Sequence, residues 1–112
     1  MPELSAEDAK LLTLARAARA RTGADQGAAV RDGMGRTYAA STVVLLSLRL
    51  SAVQAAVAAA LSSGSAELEA VAVVGDVGGL DDNDRAVLAD VSVTTVLLAD
   101  RDGSLHHVGL ES

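Results

Sequence analysis

The sequence predicts an α/β protein: a three-layer α/β/α sandwich around a mixed five-stranded sheet. Three observations predict it. Segments of helical spacing alternate with short apolar runs. One such run, Leu68 to Val74, is continuously apolar, as expected of a strand buried on both faces. The last two strand-like runs are separated by only about five residues, too few for a parallel crossover, so the sheet contains an antiparallel pair as well.

The elements follow in order. Ser5-Ala-Glu-Asp8 opens a helix. The serine hydroxyl accepts a first-turn amide, and the acids suit the positive end of the dipole. Leu4, Leu11, Leu12 and Ala15 continue at helical spacing, Arg16, Arg19 and Arg21 lie near the end, and Gly23 stops it. Gly27 to Arg31 reads as a strand, Asp32-Gly-Met-Gly35 as a turn, and Arg36 to Ser41 as an antiparallel partner, extended through Val43 and Val44. A helix from Ser51 to Ser63 follows and ends at Gly64. Its stretch from Val53 to Leu61 holds only Val, Ala, Leu and one Gln, which predicts burial on every side. After the Leu68 to Val74 strand, Asp81, Asp82 and Asp84 precede a short helix from Arg85 to Val91. Thr94 to Ala99 and Leu105 to Val108 complete the sheet across an Asp100 to Ser104 turn.

All 112 residues fit a single domain. Such a chain buries roughly 65% of its unfolded surface. Half the residues are apolar, yet Tyr38 is the only aromatic, so the core is built from Ala, Val and Leu. Burial between subunits would compensate for the missing rings, which cover about 150–250 Å² each. There is no cysteine, which excludes disulfides and thiolate metal sites. The net charge of −6 is uneven: seven cations face five anions up to residue 60, and two face ten beyond it. An acidic chain without a basic stripe or stacking aromatics is not expected to bind nucleic acid. No run approaches the ~18 apolar residues of a membrane span. The acidic start, with Glu3, Glu7 and Asp8, is unlike a secretory leader, so the expected location is the cytoplasm.

Several local motifs occur in one order along the chain. Gly27-Ala-Ala-Val30 is followed by Gly35-Arg36 with Tyr38, then by Ala52, Ala56, Ala60 and Gly64 on one helix. Arg85 to Val91 carries Leu88 and Asp90, and Val96 to Gly109 ends the series. This ordered set resembles the cytidine deaminase family. The resemblance implies that family's fold and places its active positions on named residues. The first zinc-ligating Cys falls on Ser51 and the catalytic Glu on Val53. The Pro-Cys-Gly-x-Cys segment falls on Leu80 to Asp84, putting Asp81 and Asp84 where thiolates belong. The substrate-holding Asn and Glu fall near Thr42 and Val44, the possible ligand cleft.

In that family three ligands hold a zinc that activates water while the Glu shuttles a proton. Here those positions offer a hydroxyl, two carboxylates and a valine. Ser51-Ala-Val-Gln54 fits a capping box, and Asp81 or Asp82 can cap the next helix. An oxygen-ligand metal site from Asp81, Asp84 and Ser51 is the weaker alternative. No cofactor and no metal are expected, and no residue is assigned a catalytic role. The reading that follows is a catalytically silent deaminase-fold protein that self-associates as a dimer or tetramer through the Val53 to Leu61 helix, with a further protein partner also possible. A nucleoside-sized small-molecule binder without turnover is the alternative, and a nucleoside deaminase with an unfamiliar site the third.

Other features carry less. His106 and His107 are strand neighbours pointing to opposite faces, a poor chelate. Asp100-Arg-Asp-Gly103 reads as a hairpin turn and lacks the remaining ligands of a calcium loop. Gly75 to Gly79 lacks a phosphate-loop Lys. The serines Ser47, Ser51, Ser62 and Ser63 have no evident His/Asp partnership.

Overall fold

A computed structural model describes residues 4–75 and 80–109, with side chains placed up to Leu105. The order is α1 (Ala6–Thr22), β1 (Gln26–Asp32), β2 (Thr37–Ser41), β3 (Val43–Val44), β4 (Arg49–Leu50), α2 (Ala52–Ser62), β5 (Leu68–Gly75), α3 (Asp82–Asp90), β6 (Thr95–Ala99) and β7 (Leu105–Gly109). Five strands form one mixed sheet in the order β2-β1-β5-β6-β7. Only β5 and β6 run parallel, and α3 provides their crossover. The other pairs are antiparallel.

Alternation along the strands builds two cores. Ala28 and Val30 of β1, Val71 and Val73 of β5, and Val96 and Leu98 of β6 face α2 and α3. Their neighbours Ala29, Ala70, Ala72, Val74, Leu97 and Ala99 face Leu11 and Ala15 of α1. Three layers result, with the alanines letting α1 lie close to the sheet. At Gly27 the helix is so near that an added Cβ would meet the carbonyl oxygen of Ala15 and come within 2.7 Å of the Arg19 nitrogen.

The helix starts and stops match their local chemistry. The Ser5 hydroxyl accepts the Asp8 N–H at 3.0 Å, and Gly23 ends α1 in the left-handed region. In the β1–β2 turn, buried Asp32 accepts the N–H groups of Met34 and Arg36 at 2.9 Å each. Its second oxygen accepts the Ser65 hydroxyl at 2.8 Å, tying this turn to the segment after α2. On the α1 side, Arg31 pairs with Asp8 at 3.0 Å and with Glu69 at 2.5 Å.

Two expectations are corrected. The second strand does not continue through Val43 and Val44. It ends at Ser41, and Val43–Val44 pair with Arg49–Leu50 in a separate hairpin whose tip holds Leu45 to Leu48. Thr42 makes the break: its hydroxyl accepts the Gln26 N–H at 3.2 Å, and its own N–H bonds the Gln26 carbonyl at 3.1 Å. Nor is α2 buried all round within one chain. Ala52, Val53, Ala56, Val57 and Ala60 are buried, while Ala58, Ala59, Leu61 and Ser62 are exposed. Uniformly apolar composition conceals a one-sided helix, because alanine marks neither face. No described helix is long and apolar enough to cross a membrane. The side chains of His106 and His107 lie outside the described residues, as do the 76–79 part of the glycine-rich loop and the chain end.

Candidate functional site

The starts of α2 and α3 meet beside the β3–β4 hairpin. Ser51 caps α2: its hydroxyl accepts the Gln54 N–H at 3.0 Å, and the Gln54 side-chain oxygen accepts the Ser51 N–H at 2.9 Å. This completes the capping box. Asp81 caps α3 in the same manner, accepting the Asp84 N–H at 2.8 Å.

The two caps are joined. The Ser51 hydroxyl donates to a carboxylate oxygen of Asp84 at 2.6 Å, a short charge-assisted contact. Asp84 is 4% exposed. It lies inside the first turn of α3 rather than ahead of it, and so faces α2. Burial, reinforced by the charge of Asp81, raises its pKa above the usual aspartate value; the Ser51 hydrogen bond opposes that shift.

A cleft of about 290 Å³ opens here. Ser51, Asp81 and Asp84 line it, together with Thr42 and Val44 from the hairpin side. Arg49 and Asn83, which no sequence signal marks, also line it, as does Gln54. Gln54 had already been accounted for as a cap, and only its place one turn beyond Ser51 hints at the cleft. Val53 is apart from these: it is fully buried in the core between α2 and the sheet. The structure therefore gathers five of the six residues singled out and sends the sixth inward.

The fold is that of cytidine deaminases. The cytidine deaminase of Burkholderia pseudomallei superposes with a TM-score of 0.79 at 24% identity, over 96% of this chain and 93% of that one. The cytidine deaminase of Mycobacterium tuberculosis matches with a TM-score of 0.69 at 29% identity, over 84% and 85%. That of Mycobacterium leprae matches with a TM-score of 0.68 at 23% identity, over 92% and 93%. No curated protein sequence matches. A family model described as cytidine deaminase-like covers residues 4–103, and the chain belongs to that family.

Zinc, which the family resemblance implies, does not fit the donors at this junction. Protein zinc sites take thiolate, imidazole or carboxylate ligands, usually with at least three from the protein. Ser51 offers a neutral hydroxyl whose hydrogen is directed at Asp84 and whose lone pair is directed at an amide. The Asp84 oxygen that would face it accepts that hydroxyl, and Asp81 is engaged with the α3 backbone. Among the described residues no group of three His, Cys, Asp or Glu side chains is placed to hold a metal ion.

Proposed function

We propose that this chain is a catalytically silent member of its family that works as a self-associating interaction module. The observation that carries the first half is the Ser51–Asp84 hydrogen bond, which occupies the meeting point of the two helix starts with a hydroxyl and a carboxylate. In the resemblance these are ligand positions. The position of the proton-carrying Glu is held by Val53, which has no proton to transfer and is packed in the core. Without an activated water and a general acid/base, deamination loses both parts of its chemistry.

Self-association is supported by exposed apolar surface. Leu46 at the hairpin tip is 97% exposed, and Val44, Leu45 and Leu48 beside it are exposed as well. Leu61, Ala58 and Ala59 lie open on α2. Contiguous apolar patches on a domain of this size mark interaction surfaces. A cytoplasmic location suits this reading.

Purified protein supplied with zinc tests the silence: no retained metal and no ammonia from cytidine are expected, and stoichiometric zinc with ammonia release overturns it. Light scattering after size exclusion tests association. A dimer or tetramer is expected, and a monomer at micromolar concentration overturns it.

A second reading rests on the cleft. At about 290 Å³ it is near the lower size of small-molecule pockets. Calorimetric titration with cytidine and uridine decides: saturable heat without turnover favours a nucleoside-sized binder.

A further inference from the structure

We propose that two copies of this chain join β2 to β2 in antiparallel register about Ala39, making one ten-stranded sheet, with the α2 helices of the two copies packed together over the seam. The proposal rests on the self-association reading above and assigns its surface.

Among the described residues β2 is an edge strand paired with β1 alone. The Thr42 N–H bonds to Gln26 and the Arg36 carbonyl accepts from Asp32, so the even positions turn their backbone groups towards β1. Alternation leaves the N–H and C=O groups of Thr37, Ala39 and Ser41 pointing away from the sheet. Natural edges are commonly guarded by lysine, proline or a bulge. This one has none: residues 37–48 contain no charge and no proline, and the β1–β2 register is unbroken.

The edge is complementary to itself. About Ala39, Thr37 meets Ser41 and Tyr38 meets Ala40 of the other copy. Arg36 falls opposite Thr42, so no like charges meet. Ala39 is exposed, with no bulk to hold the copies apart.

The helix above agrees with this geometry. α2 lies over β1 and β2. A dyad half a strand spacing beyond β2 brings two such helices to about 9 Å, inside the 8–10 Å range of packed helices. Gln54 lines the cleft with Asn83 and Asp84, so that flank of α2 faces α3. The opposite flank, above the β2 edge, carries Ala55, Ala59 and Ser62, all small enough for close approach. A stable dimer hides about 800 Å² per partner, roughly an eighth of the 6089 Å² surface.

The test uses the full chain. Ala39→Lys puts two ammonium groups face to face at the dyad and should weaken the dimer at least tenfold, with an unchanged circular dichroism spectrum. Ala39→Cys supplies the only thiol in the chain and should give a disulfide-linked dimer on mild oxidation, whereas Ala86→Cys, exposed on α3 away from the β2 edge, should not crosslink at the same rate. If the wild type is oligomeric but Ala39→Lys leaves its mass unchanged and Ala39→Cys does not crosslink, the pairing is overturned and self-association stands. If the wild type is a monomer, both fall.

Discussion

Ser51 and Asp84 are 33 positions apart in sequence, yet the hydroxyl of one donates to the carboxylate of the other at 2.6 Å, joining the starts of α2 and α3. Each residue has a local task at its helix end. The contact between them closes the junction and places a carboxylate almost out of water.

The burial of Asp84 makes stability depend on pH in an unusual direction. Its pKa is raised in the folded chain, first by loss of water and then by the charge of Asp81. The folded state therefore binds this proton more tightly than the unfolded state does. The contribution of Asp84 to stability is greatest below about pH 3.9, the ordinary aspartate value, and is lost as pH rises through the folded pKa. Asp84→Asn keeps an oxygen for the Ser51 hydroxyl and removes the buried charge. The variant should melt above the wild type at pH 7, and the difference should shrink towards pH 4 in thermal scans at both values.

Ser51→Ala should act oppositely. It removes the α2 cap, worth about 1 kcal/mol, and strips a buried acceptor of its donor, which costs about 1–3 kcal/mol. Urea denaturation should show a loss of about 2–3 kcal/mol. Ser51→Thr, which retains the hydroxyl, should recover most of it.

Asp32 supplies the contrasting pH response. Its carboxylate is held below the usual range, first by the Ser65 hydroxyl and then by the backbone N–H groups of Arg36 and Met34. The stability it contributes is present above the ordinary aspartate pKa and is lost as pH falls through the depressed value. Asp32→Asn should lower the melting temperature at pH 7, and acidification below pH 4 should narrow the gap. Equal melting temperatures at pH 7 would contradict this account.

These residues show how much the sequence disclosed and where it stopped. Signals confined to a few neighbours were legible: Ser5 and Gly23 bounded α1, Ser51-x-x-Gln54 announced the capping box, and the run from Leu68 marked a strand buried on both faces. The mixed sheet and its layers followed from their order. Contacts between distant segments were not legible. Nothing near Asp84 tells that it turns towards Ser51, since an acid in a first helical turn is ordinary in water. The β3–β4 hairpin was hidden because Leu45-Leu-Ser-Leu48 carries no Gly, Asn or Pro, while Val43-Val44 looks like more strand. In the cleft, Thr42, Val44, Ser51, Asp81 and Asp84 were reached through family resemblance. Arg49 and Asn83 had no local pattern to single them out.

Gly27 tests the closeness of α1 to the sheet. Its missing side chain is what lets the helix backbone at Ala15 and Arg19 pass directly over β1. Both are backbone neighbours that cannot rotate aside. Gly27→Ala should force the layers apart and cost about 3 kcal/mol, at the upper end of overpacking penalties. Ala29→Gly, two residues on and facing the same helix, enlarges space instead and should cost only about 1 kcal/mol. Denaturation midpoints of the two variants decide whether close approach, rather than loss of any strand residue, sets the result.

Ser92 offers a substitution expected to stabilise. It is the only non-glycine residue with positive φ among the described residues, at 63°, and it terminates α3 where glycine is the usual choice. The turn is held by its N–H to the Ala89 carbonyl at 3.2 Å and by the Val93 N–H to the Leu88 carbonyl at 3.1 Å. A side chain in this conformation costs about 1–2 kcal/mol, while glycine's extra freedom in the unfolded chain returns about 0.5–1 kcal/mol of that. Ser92→Gly should therefore gain about 0.5–1 kcal/mol, and Ser92→Val, branched at Cβ, should lose more than that. Paired urea titrations give the sign: a loss on Ser92→Gly would mean that the serine side chain contributes something beyond the geometry of the turn.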